Sequence, residues 1–258
     1  ERNGQDAIEE YRAGIVSLDE ALRLYPGYGE ALLNRASAWT AVARTEARLG
    51  LDPTSSCVKS IADCEEVWQR TPRVEDAHTL MARVVTLIRD HSQKSGLDPI
   101  PVYDRMILAY EGLLARVPDS RLARHNLAGT WRYLGEWRQA RGQDPREAFG
   151  HAISEYAMVA KLDEAETRAL LAQAGVHCEL AEWEAGHDRD PGHEDELALA
   201  ACDRAIQRAP RSRDAYLLRA RILMTWARWS DAVSCLATYL EKSAALQRRV
   251  RSALVYPA

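Results

Sequence analysis

From Glu30 to Leu49 the chain carries no proline or glycine, and apolar or small residues recur at spacings of three and four, as in Leu32, Ala36, Trp39 and Val42. Such spacing places one apolar stripe along a helix. The stretch stops at Gly50-Leu51-Asp52-Pro53. Glycine suits the left-handed residue just past a helix C-terminus. Aspartate suits the next N-cap, and proline the first helical turn, where its missing N–H costs nothing. A second helix is then predicted from about Ser55 to Arg70, with Val58, Ile61, Cys64, Val67 and Trp68 facing inward. Thr71-Pro72 ends it, because the residue before a proline is pushed out of the α region. No segment shows strand alternation bounded by hairpin turns, so the pattern predicts an all-helical protein.

The same punctuation returns at a fixed interval. Asp-Pro occurs at Asp52-Pro53, Asp98-Pro99, Asp144-Pro145 and Asp190-Pro191, always 46 residues apart. A second ladder runs Pro26, Pro72, Pro118 and Pro210, with Glu164 on the vacant rung. Eight of the ten prolines lie on these two ladders. Side-chain columns keep the interval. Ala31, Ala77, Ala123, Ala169 and Ala215 form one, and Ala36, Ala82, Ala128, Ala174 and Ala220 another. Ile15, Ile61, Ile107, Ile153 and Leu199 form a third, and Trp137, Trp183 and Trp229 a fourth. A fixed period of this length is the mark of a tandem repeat, each unit here being two helices. Stacked alanines let neighbouring helices approach closely, and the tryptophans read as large residues buried between helices.

The 258 residues are therefore expected to form a single repeat array over 1–258. An orphan helix at about 7–25 comes first. Helix pairs follow from near 28, 74, 120, 166 and 212, and a charged closing helix covers about 230–248. Gly4-Gln5-Asp6-Ala7 aligns one period before Gly50-Leu51-Asp52-Pro53, so the chain is expected to open at the corner of a repeat whose first helix is missing. That expectation makes it a piece of a longer protein.

These columns resemble the tetratricopeptide repeat. Residues 123–137, Ala-Arg-His-Asn-Leu-Ala-Gly-Thr-Trp-Arg-Tyr-Leu-Gly-Glu-Trp, look like its first helix. Ala128 matches the small mid-helix residue, Trp131 the aromatic three later, and Gly135 with Trp137 the Gly-x-aromatic turn. Pro118 or Pro210 matches the proline after the second helix. The family's usual period is about 34 residues, so the 46-residue unit carries an extension around its Gly-x-Asp-Pro corner. From Arg213 onward, Trp229 and Ala232 return to the ordinary spacing. The corner is also similar to that in the C-terminal repeat tails of bacterial, myxobacterial-type serine/threonine kinases. The resemblance implies an α-solenoid of antiparallel helix pairs, a right-handed superhelix of about eleven helices.

Composition narrows the function classes. The net charge is −4, with 30 Arg and 4 Lys against 38 acidic residues. Such a balance does not suggest a nucleic-acid surface. Apolar runs fall short of the roughly 18 residues of a membrane span, so no membrane partner is expected. Five cysteines, at 57, 64, 178, 202 and 235, include no CxxC pair, so reduced thiols and a cytoplasmic setting are expected.

Candidate chemistry is sparse. His187-Asp188-Arg189-Asp190-Pro191-Gly192-His193-Glu194-Asp195 gathers histidines and carboxylates in the manner of a divalent-metal site. It also lies on the Asp-Pro rung, where acids favour a helix N-terminus, and that plainer reading is preferred. Cys57, Cys64 and Cys202 sit in columns shared with Tyr or Phe and read as packing residues. His177 and Cys178, adjacent on a helix, point about 100° apart and cannot form a dyad. Arg248, Arg249 and Arg251 read as a solvated tail. No phosphate loop, GxSxG or HExxH is present, so neither catalysis nor a cofactor is expected.

Members of the resembled family bind peptides on the face lined by first helices. Asn34 and Asn126 match a groove asparagine of that family, while the same column holds Leu80, Ala172 and Leu218. One turn on, the column reads Ser37, Arg83, Gly129, Gly175 and Arg221. With His125, Arg132 and Tyr133, the resemblance implies a polar, partly positive groove for a protein or peptide partner. Asparagine can satisfy an extended backbone, and arginine can fork a carboxylate. The expected function is a non-catalytic interaction scaffold, a regulatory segment of a larger bacterial signalling protein. The alternative is an accessory part of a kinase or protease whose catalytic domain lies outside this chain.

Overall fold

The computed structural model describes residues 2–72, 74–163, 166–225 and 229–255, with the side chains of 2, 3, 229 and 246–255 outside that description. The expected burial of Trp229 and the Arg248, Arg249 and Arg251 cluster therefore lie outside the described residues. Among the described residues the chain is eleven α-helices and no strand. First helices begin at Gly29 (α2, Gly29–Arg48), Glu75 (α4, Glu75–Ser95), Arg121 (α6, Arg121–Ala140), Thr167 (α8, Thr167–Ala185) and Arg213 (α10, Arg213–Thr225). Second helices are α3 (Thr54–Arg70), α5 (Ile100–Arg116), α7 (Arg146–Leu162) and α9 (Gly192–Arg208). Each set recurs every 46 residues. α1 (Arg2–Leu24) precedes them and α11 (Trp229–Val255) follows. The fold class is all-α, built of successive antiparallel helix pairs within each unit.

The corners follow from local chemistry. Gly50, Gly96 and Gly142 adopt φ of 73°, 74° and 68°, the left-handed region open to glycine. At Gly50 the amide bonds to the Ala47 carbonyl while Leu51 N–H reaches back to Glu46, which satisfies two carbonyls the helix end leaves bare. Asp188 stands on the fourth rung and takes φ 55°, the same turn made without glycine. Arg189 N–H still reaches the Glu184 carbonyl there.

Each proline then opens a helix. Pro53, Pro99, Pro145 and Pro191 occupy the N-cap position itself. The aspartate lies one residue further out than expected, yet still does the capping. Asp52, Asp98, Asp144 and Asp190 accept the N–H two residues on at 2.8, 2.9, 3.0 and 2.9 Å. At the first rung no proline follows Asp6, and Gly4 to Ala7 continue as α1 instead of turning. Gly4 lies against Leu49, where an added Cβ would meet Cδ2 at 2.9 Å.

The described chain divides into two compact units, residues 1–137 and 138–258. In the first unit α2 packs on α1, α3 and α4, and α3 on α4 and α5. Arg35 forks Asp63 at 3.0 and 2.6 Å and reaches Asp19 at 2.6 Å, tying α1, α2 and α3 together. Burial raises the Asp63 carboxyl above its usual range although Arg35 pulls the other way. Arg116 donates to the Trp68 and Gln69 carbonyls at the end of α3, supplying a cation where a helix terminus is negative. In the second unit α8 packs on α7, α9 and α10, and α10 on α9 and α11. Arg208, two periods after Arg116, donates to the Ala160 carbonyl of α7. Its core gathers Ala174, Ala198, Ala201, Cys202 and Ile222, with a second cluster around Tyr216, Leu223 and Cys235.

The alanine columns lie where helices meet. Ala31, Ala77, Ala123, Ala169 and Ala215 are all at most 2% exposed. In the other column Ala36, Ala128, Ala174 and Ala220 are fully buried, whereas Ala82 is half-buried. Among the tryptophans, Trp183 is buried and Trp137 half-buried. The first unit also buries Trp68, His78 and Tyr110 together, with ring centroids 4.7, 5.3 and 6.0 Å apart. Among the described residues Trp68 Nε1 and His78 Nδ1 are buried without a hydrogen-bond partner, and the Tyr110 hydroxyl faces the Asn126 side chain.

Two outcomes follow from this packing. Ala123→Leu should overpack a filled contact and destabilise the first unit by about 1–3 kcal/mol in urea denaturation, while Ala82→Leu costs much less. Equal losses would show that the columns are not close contacts. Burial also lowers the His78 pKa from 6.5 to about 4. Between those values the unfolded chain holds a proton that the folded chain rejects, so stability falls as pH drops through this window. The full effect is on the order of 3 kcal/mol. Stability measured from pH 7 to pH 4 should fall less steeply for His78→Phe than for the parent chain, and identical slopes would contradict the assignment.

Candidate functional site

A large opening lies in the first unit, on the first helices of three successive pairs. It is a cavity of about 1010 Å³ between α2, α4 and α6. α2 contributes Thr40, Arg44, Ala47 and Arg48, and α6 contributes Leu122 and Asn126. α4 supplies the rest, from His78 and Thr79 through Ala82, Arg83, Thr86 and Leu87 to Asp90, His91 and Lys94. These α4 positions recur at three and four, which keeps one helix face along the opening. Ala47, Ala82, Thr40, Thr79 and Thr86 make the small-residue part of the lining. The threonine hydroxyls turn inward on their own helices, Thr40 to the Ala36 carbonyl at 2.9 Å and Thr86 to Ala82 at 2.9 Å. Their methyl groups are left to line the space. Ala82 is half-buried because it faces the cavity rather than a neighbouring helix.

The electrostatics are one-sided. Arg44, Arg48, Arg83 and Lys94 are exposed at the rim, and among the described residues none has a carboxylate or carbonyl partner. The acid in the lining, Asp90, is held by the Arg89 guanidinium at 3.0 and 3.1 Å. His78, 4% exposed, lines the cavity with the partnerless Nδ1 behind it. Four cations facing one engaged carboxylate make a positive groove.

The expected groove residues are distributed unevenly. Arg83 and Asn126 line the cavity together. Asn34 is exposed on α2, outside the lining, and His125 is half-buried on α6. Arg132 pairs with Glu136 at 3.0 Å, and the Arg89 guanidinium covers Tyr133 at 4.7 Å from the ring centroid. Arg221 is exposed on α10 in the second unit. Sequence reasoning missed Arg44, Arg48 and Lys94. A signal for them exists, since Arg48 and Lys94 are one period apart in the last turns of α2 and α4.

Other candidate chemistry is committed to structure. A cavity of about 540 Å³ in the second unit has polar groups that satisfy each other, Arg219 with Asp203 at 2.6 Å and Lys242 with the Tyr216 hydroxyl at 2.7 Å. His177 Nδ1 faces Glu194 at 2.7 Å, across from α9 rather than toward Cys178. At the His187–Asp195 corner, His187 Nδ1 bonds the Trp183 carbonyl at 2.8 Å and stacks on its ring, and Asp190 caps the Gly192 amide. Among the described residues no three His, Cys, Asp or Glu side chains converge as a metal site. All five cysteines are free thiols, and burial pushes Cys57, Cys64 and Cys202 up to about 12, far from a thiolate at neutral pH. Among the described residues no helix is long and apolar enough to cross a membrane.

No family model matches the chain, and no curated protein matches it. Solved structures similar to it include MamA, at 13% identity, covering 80% of this chain and 96% of that one with a TM-score of 0.46. TTC0263, a thermophilic TPR protein of Thermus thermophilus, shares 18% identity over 83% of this chain and 100% of its own, with a TM-score of 0.43. BtubC (BKLC) from P. vanneervenii shares 12% over 95% and 92%, with a TM-score of 0.46.

Proposed function

We propose that the chain is a non-catalytic interaction module that receives a segment of a partner protein in the groove of its first unit. The observation that carries this reading is the cavity between α2, α4 and α6, open along a helix face and rimmed by four cations, Arg44, Arg48, Arg83 and Lys94, that have no carboxylate partner among the described residues. Charged pairs elsewhere in the chain are engaged with each other, as in Arg35 with Asp63 and His177 with Glu194. Rigid helices carry the groove's walls, so a partner would meet a preformed surface and lose less ordering entropy on binding. The Gly-x-Asp-Pro corner supports a finer reading, in which the repeat array of residues 1–258 is a regulatory segment of a larger bacterial signalling protein, working in the cytoplasm.

Filling the groove tests the reading. Ala82→Phe places a ring in the cavity at a half-buried site. It should abolish association with a partner recovered on the parent chain while leaving the thermal midpoint within a few degrees. A partner that binds the filled groove as tightly as the open one contradicts it.

A further inference from the structure

The rim cations say what kind of segment the groove accepts. Many arginines elsewhere do find carboxylates: Arg105 pairs with Glu65, Arg138 with Glu147 at 3.0 Å, and Arg146 with Asp144 at 2.5 Å. The chain has acids in excess, 38 against 34 basic residues, so partners are not in short supply. Arg44, Arg48, Arg83 and Lys94 nevertheless face the groove without one among the described residues.

Their placement is linear rather than convergent. Lining residues on α4 run from His78 to Lys94, and 16 steps at about 1.5 Å make a trough about 24 Å long. At about 3.3 Å per residue, an extended strand of about seven residues spans it. Arg83 lies toward one end of that row and Lys94 at the other, with Arg44 and Arg48 one turn apart on the facing helix α2. A single carboxyl group could not engage all four. Small walls from Ala47, Ala82 and Thr86 leave room for side chains between the charged positions.

We propose that the α2–α4–α6 groove binds an extended internal segment of a partner protein, about seven residues long, with acidic side chains spread along it to meet Arg44 and Arg48 on one wall and Arg83 and Lys94 on the other. This rests on the interaction reading above and adds the chemistry of the occupant. His78 and Asn126 also line the groove, between the charged positions.

The test is selection from a random library of C-terminally amidated 12-residue peptides on the full chain. Selected peptides should be enriched in Asp and Glu, and their affinity should fall at least tenfold between 50 and 300 mM salt, as exposed charge pairing requires. The triple variant Arg44→Glu, Arg83→Glu, Lys94→Glu should lose them by at least tenfold. Arg44→Lys with Arg83→Lys should retain them, and Arg211→Glu in the second unit should change nothing. Circular dichroism of the triple variant checks that its helices persist; if they do not, the single variants Arg44→Glu and Lys94→Glu are each expected to weaken binding severalfold. Neutral or basic peptides whose binding is lost in Ala82→Phe would sustain the groove and overturn its acidic preference. Acidic peptides that bind the charge-reversed groove undiminished also overturn it. A library yielding nothing overturns both readings. A single-stranded oligonucleotide that binds more tightly than any peptide overturns the peptide assignment.

Discussion

Close approach of helices at the alanine columns is the constraint on which everything else in this chain depends. Each column puts a methyl group where a larger side chain would hold two helices apart. With Ala31, Ala77, Ala123, Ala169 and Ala215 sealed, the helices within each unit can lie against one another and bury the larger residues around them. No single core has to be filled; stability is a sum of pairs and the contacts between neighbours. The arginines that reach the carbonyls ending a preceding second helix, Arg116 and Arg208, serve the same stacking. Helix ends that would otherwise repel each other's carbonyls are given a cation.

Where that constraint relaxes, a site opens. Ala82 belongs by spacing to a column whose other members are fully buried, yet it is half-buried on the wall of the groove. One small residue can therefore serve two purposes. Against a neighbouring helix it permits contact, and against open space it makes room. The charges follow the same division. In the interior, Arg35 is held by two carboxylates, and the pair costs desolvation that only good geometry offsets. At the groove rim, cations remain hydrated and available, and their field acts on whatever approaches.

The helical fold was legible in the sequence because its determinants are local. Helix boundaries depend on Gly, Asp and Pro at fixed offsets, and those residues act through their own backbone dihedrals and nearest hydrogen bonds. Asp188 shows the limit, since it makes the left-handed turn that Gly142 makes one period earlier, without glycine to announce it. The opening rung shows another: Gly4 and Asp6 keep the letters of a corner, but without proline the helix runs through them. The groove was only half legible. Arg83 and Asn126, expected from the family resemblance, line the cavity. Arg44, Arg48 and Lys94 were not expected, because what marks them is the lack of a carboxylate in three dimensions. Arg132 carries the same side chain as Arg44 and is neutralised by Glu136 one turn away.

The central claim is that the first helices of the first unit form the binding surface. Amide hydrogen exchange on the full chain, with and without a bound acidic segment, tests it most directly. The account predicts added protection along the segments 40–48, 78–94 and 122–126, with α3 and α5 little changed. Protection confined to α3 and α5, or to helices of the second unit, would contradict it.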